Sequence, residues 1–390
     1  MYPHQAERLT EILDRHGLEA LVASREANVA YVTGFRGVSH TVFEAPQYAV
    51  FTRRGTGLVV PAVEIASIVA DGIEVDQIAC FGDVVATYDE RAEPNVKRIR
   101  DLSESRVPDA VEALGRVLDA LGVRAGTVAL DEGRVTHEAW QRIAARLEAR
   151  RLVPGAEHFL SARRVKGPWE IECLVRGLGI VEEALNEVIA KIAPGMTERE
   201  AVTLYQSEVL KRGGEPVPAT IATGTRTWIP RPRATDRALR AGEIVRFDVG
   251  GVFDGYQATV ARTAVAGDPH TRLDEAYRAV QAGLDAALDA IKPGAPGSRP
   301  HAAALEATRA AGLTSFTVRD VGHAIGLEAY EPPILADDVD TPFEAGEVLL
   351  IELRHFEMGW VGLHAKDTVL VTTGGARSLN RSSHGLVVLD

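Results

Sequence analysis

The apolar positions change period repeatedly up to about residue 155. Between Gln5 and His16, Leu9, Ile12 and Leu13 recur at helical spacing and predict one buried helix face. Ala20 to Ala23 is a short apolar run of strand length, and Ala49 to Thr52 followed by Gly57 to Val60 predicts a hairpin. Val111 to Leu121 and His137 to Ala149 predict two more helices, with a strand at Thr127 to Leu130 between them. This alternation predicts an α/β unit, and the acidic, proline-containing stretch from Tyr88 to Pro108 is expected to be an exposed excursion from it.

After Pro154 the pattern changes. Pro168 to Ile192 reads as one long helix and Thr197 to Arg212 as a second, with Thr197 as N-cap and Glu200 at the capping-box position. From Ala219 strands dominate, at Ile244–Val249, Tyr256–Val265, Val348–Arg354 and Lys366–Thr372, with helices near Leu273–Ile291 and His301–Ala311. The expected organisation is two domains, 1–157 and 158–390, in an α/β (α+β) chain without internal repeats.

Composition narrows the function classes. The chain has 390 residues, 46% of them hydrophobic and 25% charged, enough for two globular domains. No run approaches the roughly 20 apolar residues that span a bilayer, and the first residues pattern as an amphipathic helix, so a cytoplasmic protein without a membrane partner is expected. A net charge of −12 argues against nucleic acid and anionic membrane as the main partner and is easier to reconcile with a small or cationic ligand; a small-molecule substrate is expected. Cys80 and Cys173 lack metal-site spacing and are expected to be buried free thiols.

The candidate chemistry lies in four ordered segments: Ala241–Gly251 with Asp248, Gly255–Thr263 with Thr259, Gly322–Pro333 with His323 and Tyr330, and Gly346–Glu352 with Lys366-Asp367-Thr368. Together with Asn28–Phe35 (NVAYVTGF), Val165-Lys166 and Glu170-Ile171, they resemble the pita-bread superfamily of prolidases, Xaa-Pro and methionine aminopeptidases, and creatinase. The resemblance covers nearly the whole chain. It implies a creatinase-type amino-terminal α/β domain followed by a pita-bread domain, and a homodimer.

The resemblance also implies a site. The family's peptidases hold two divalent metals with five ligands in the order Asp, Asp, His, Glu, Glu. In this chain the first Asp, the His and the first Glu correspond to Asp248, His323 and Glu352. The second Asp falls on Thr259 and the last Glu on Lys366. Two further family histidines fall on Arg231 and Tyr330. A protonated lysine repels a divalent ion and threonine is a poor ligand for one, so the expectation is a site with no metal and no cofactor. The metal-free creatinase branch is not matched fully either, since its histidine falls on Arg231 and its glutamate on Ala261.

From these residues we expect His323 to act as acid–base group, with a pKa raised by an adjacent Glu352, and Asp248 and Glu352 to be its carboxylate partners. Lys366 is expected to supply charge stabilisation, and Tyr330 a hydrogen bond or a proton. Arg231, in the stiff segment Ile229-Pro-Arg-Pro-Arg233, suits a substrate carboxylate. His364 and Thr259 are expected in the cavity wall. The resemblance places His40 and Phe35 against the partner subunit's site. The reading is a metal-independent, creatinase-like hydrolase of a C–N bond in a small polar, carboxylate-bearing substrate. Its rivals are a proton-transfer enzyme of specialised metabolism, a metal-dependent Xaa-Pro dipeptidase, and an inactive peptide- or protein-binding domain.

Overall fold

The structure, a computed structural model, describes residues 2–89 and 93–389. It divides into two compact units, 1–163 and 164–390.

In the first unit the strands are β1 (Ala20–Ala23), β2 (Tyr48–Thr52), β3 (Gly55–Pro61), β4 (Gln77–Phe81), β5 (Gly126–Leu130) and β6 (Arg150–Pro154), arranged β4-β3-β2-β1-β5-β6 in one mixed sheet. The expected hairpin is β2–β3, paired antiparallel. Helix Ala110–Ala120 lays Ala113, Leu114, Val117 and Leu118 against this sheet, and Asp109 caps its first turn by accepting from the Val111 and Glu112 amides. Two expectations are corrected here. The stretch from Tyr88 to Pro108 contains a helix, Pro94–Glu104, whose proline sits in the first turn where its missing N–H costs nothing; residues 90–92 of that stretch lie outside the described residues. The helix from His137 ends at Arg146, because Leu147 leaves helical geometry and the chain then enters β6.

The second unit begins with helix Pro168–Ile189 and helix Glu198–Lys211. The latter starts at the predicted capping box, where the Glu200 amide donates to Thr197 Oγ1 and the Thr197 amide to Glu200 Oε2. Its strands are β7 (Glu215–Pro216), β8 (Thr220–Thr223), β9 (Ile244–Phe253), β10 (Tyr256–Ala266), β11 (Asp320–Ala324), β12 (Glu331–Ala336), β13 (Val348–Glu357), β14 (Val361–Thr372), β15 (Gly375–Ser378) and β16 (Val387–Leu389). One sheet runs β16-β10-β9-β7 with β8 also on β9, and the other runs β12-β11-β13-β14-β15.

Helices Pro168–Ile189 and Glu198–Lys211 cover the first sheet over a core that includes Val181, Tyr205, Phe247 and Val260. Helices Thr271–Ala290 and Ser298–Ala310 join the core of the second, with Leu284, Ile351, Leu353 and Leu363. The two sheets meet where Thr263 Oγ1 donates to the His364 carbonyl (3.2 Å) and accepts from the His364 amide (3.1 Å). Buried Arg262 continues the seam by donating to the Lys366 carbonyl (2.6 Å) and to Asp367. At Gly362 the strand passes so close to the Thr227 carbonyl that no side chain fits. Across this seam Lys366 of β14 reaches Asp248 of β9, Nζ to Oδ1 at 2.7 Å. Cys80 and Cys173 are free and buried.

Candidate active site

Period-two alternation explains how charged groups enter strands that are otherwise apolar. On β13, Leu349, Ile351 and Leu353 point into the core, while Leu350, Glu352, Arg354 and Phe356 line a cavity of about 380 Å³. On β14 the cavity residues are His364 and Lys366, and on β9 they are Arg246 and Asp248. Cross-strand register sets Glu352 opposite Lys366 and Arg354 opposite His364. Thr259, Arg231, His323 and Tyr330 complete the set, so eight of the ten residues singled out in the sequence share one cavity.

Lys366 is the centre of its charge pattern. Its Nζ lies 2.7 Å from Asp248 Oδ1 and 3.4 Å from Glu352 Oε2. Burial disfavours every one of these charges, but the pairing outweighs it. The Lys366 pKa is raised by its two carboxylate neighbours, and the Asp248 and Glu352 carboxyls are held below their ordinary range chiefly by Lys366. The three groups are thus ionised at neutral pH. His364 Nε2 lies 3.1 Å from Glu352 Oε2 and its Nδ1 3.8 Å from Asp248 Oδ2. A carboxylate only accepts, so Nε2 of His364 carries a proton; burial lowers the pKa of the ring and favours its neutral form. Thr259 Oγ1 donates 3.0 Å to the Val249 carbonyl.

His323 differs from its expected setting. Its Nδ1 is 2.9 Å from the Ala324 carbonyl, and Glu352 is not a hydrogen-bond partner. The pKa is lowered, not raised: burial outweighs the pull of Glu352. This geometry fixes a tautomer. Because a carbonyl only accepts, Nδ1 holds the proton and Nε2 of the neutral ring is a free base. The Tyr330 ring lies 3.8 Å away by centroids, tilted by 38°. Burial raises the Tyr330 pKa, which keeps the phenol a proton donor although the residue is 53% exposed.

Arg231 is exposed at the cavity mouth. Its loop is held by buried Glu198, which accepts from the Thr223 and Thr235 amides (3.0 and 2.9 Å) and pairs with Arg226. His40 and Phe35 lie in the first unit, both buried; His40 Nδ1 donates 2.8 Å to the Ala45 carbonyl. Two charged cavity residues escaped the sequence reading. Arg354 pairs with Glu352 and, at 3.0 Å, with Asp320. Arg246 lies two positions before Asp248 on β9, and that alternation was the available signal.

The two facing sheets, their helical covers and this charged cavity define a pita-bread protein of the creatinase and aminopeptidase type, with a creatinase-type unit before it. The chain belongs to metallopeptidase family M24, whose model matches residues 172–373, while the creatinase/prolidase N-terminal domain matches residues 5–165. The uncharacterized peptidase YqhT of Bacillus subtilis is 22% identical over 98% of this chain and 99% of that protein. The Xaa-Pro dipeptidase of Pyrococcus furiosus is 29% identical over 58% of this chain and 65% of its own length. Among solved structures, the X-Pro aminopeptidase of Thermotoga maritima superimposes with a TM-score of 0.81 at 23% identity, over 98% of this chain and 99% of that one. The dipeptidase PepE of Mycobacterium ulcerans gives 0.77 at 26%, over 99% and 97%. Among the described residues no helix is long and apolar enough to cross a membrane.

Proposed function

We propose that this chain is an M24-family hydrolase whose site works without a divalent metal, cleaving a C–N bond in a small polar, carboxylate-bearing substrate. One observation carries the reading: the Lys366 ammonium lies between Asp248 and Glu352, where it already supplies the positive charge that those carboxylates need. The donor set argues the same way. A cation seated between the two carboxylates meets a fixed like charge, and Thr259 offers a hydroxyl already committed to a backbone carbonyl. These residues do not fit a two-metal centre.

The residues suit acid–base hydrolysis. Nε2 of His323 takes a proton from water as the water oxygen bonds to the substrate carbonyl carbon. The oxyanion that forms faces a cavity wall carrying Lys366. The C–N bond then breaks as the imidazolium returns its proton to the leaving nitrogen, with the Tyr330 phenol as a second donor beside it. By analogy with the creatinase-type domain, we read the active form as a homodimer in which His40 and Phe35 serve the partner's site.

A second reading, the metal-dependent Xaa-Pro dipeptidase, is favoured by the names of the relatives, which support it better than they support the first. Screening carboxylate-bearing amides, amidines and Xaa-Pro dipeptides separates the two. On the first reading, turnover persists in chelator. Its acid limb then lies below pH 6.5, the ordinary histidine value, because a lowered His323 pKa keeps the base unprotonated to lower pH. Dipeptide cleavage that requires manganese or cobalt and stops with chelator supports the second reading and overturns the first.

A further inference from the structure

The cavity holds a charge that the acid–base chemistry does not use. Four cationic side chains line it, Arg231, Arg246, Arg354 and Lys366, against two carboxylates, Asp248 and Glu352. Lys366 is engaged by both carboxylates, and Arg354 by Glu352 and Asp320. Among the described residues Arg246 forms no ion pair with a carboxylate, although the Asp248 charge acts on it. It is fully buried on β9, with Nε donating to the Thr227 carbonyl (2.9 Å) and Nη2 to those of Ile229 (2.6 Å) and Pro230 (3.2 Å). Among the described residues its Nη1 has no hydrogen-bond partner. The Phe356 ring lies 5.0 Å from the guanidinium carbon.

A buried guanidinium that hydrogen-bonds only to carbonyls, with Asp248 acting on it through charge but not as an ion-pair partner, is costly, and the strand has no packing need for one: its core-facing neighbours Val245 and Phe247 are apolar. Burial lowers the Arg246 pKa to about 10, which leaves the group charged at neutral pH. The same loop that Arg246 grips through three carbonyls carries Arg231, the other cavity guanidinium without a carboxylate.

We infer that Arg246 is the anion anchor of this cavity and selects substrates by a carboxylate, with Arg231 closing on the same group from the mouth. The inference rests on the proposed carboxylate-bearing substrate and adds the residue that reads it. A carboxylate bound there reduces the cavity's surplus of positive charge and satisfies Nη1, and the planar fork makes the contact directional.

The test is binding, and it needs no turnover. Acetate and acetamide, alike in shape and different in charge, are titrated at constant ionic strength into the protein, into Arg246→Gln and into Arg246→Lys, with affinity read by calorimetry and by thermal shift. The wild type is expected to prefer acetate by about tenfold or more, Arg246→Gln to lose the preference, and Arg246→Lys to keep only part of it. Should Arg246→Gln fail to fold, the lysine variant decides, since a purely structural clasp on the 227–230 loop does not make acetate preference fall with loss of the fork. An equal response to the two probes in the wild type, or a preference unchanged in the variants, overturns the assignment. Acetate preference without hydrolysis of any screened amide removes the proposed reaction and leaves the anion site standing.

Discussion

Replacing Lys366 with methionine is expected to destabilise the protein by about 3–5 kcal/mol, the cost of stripping a buried charge pair of one partner. Methionine nearly conserves volume, so packing loss contributes little. What remains is two largely buried carboxylates, Asp248 and Glu352, facing the same space with only His364 and Arg354 beside them. Their pKa values should climb, and the variant should lose stability as pH rises through the carboxylate range, where the wild type is held by ionised partners. Denaturant unfolding at two pH values measures both effects, and a loss below about 1 kcal/mol would show that the triad is a surface-like pairing of little weight. The companion variant Thr259→Asp with Lys366→Glu reverses the charge pattern. It should bind divalent metal more tightly than the parent, because it rebuilds the carboxylate set of a two-metal site.

The second large effect is at His323. With Nδ1 tied to the Ala324 carbonyl, only Nε2 is free to move a proton, so His323→Ala should cost about 10²–10⁴-fold in kcat. Stability should change far less, since the ring's polar tie is to its neighbour's carbonyl and its ring contact is with a half-exposed tyrosine. Full activity in this variant, on whichever amide the screen yields, would remove His323 from the chemistry.

Much of this architecture was legible in the sequence because its elements obey simple periods. The capping box at Thr197 and Glu200, the hairpin of β2 and β3, and strands β9, β10, β13 and β14 all fall where hydrophobic spacing and turn residues place them. The ordered motifs did the rest, bringing Asp248, His323, Glu352 and Lys366 to one cavity although as many as 118 positions separate two of them. What the sequence hid was environment. The pKa of His323 depends on burial and on a bond to its own neighbour's carbonyl, neither of which leaves a pattern in spacing. Arg246 and Arg354 were missed for another reason: in a strand, an arginine reads as an outward charge until the partner sheet shows that the outward face is enclosed. The helix Pro94–Glu104 was masked by charge, because its surface is polar almost all round and only Ser103 is buried.

Whether Lys366 takes the role of the family's metals is read by elemental analysis. The protein is purified without chelator and measured before and after incubation with manganese, zinc and iron. If Lys366 fills that role, metal stays substoichiometric throughout, with no change in melting temperature on incubation. One or two tightly held equivalents, with the protein stabilised on binding them, would mean that Lys366 and Thr259 are accommodated in a rebuilt centre, and would contradict the metal-independent reading in favour of the dipeptidase.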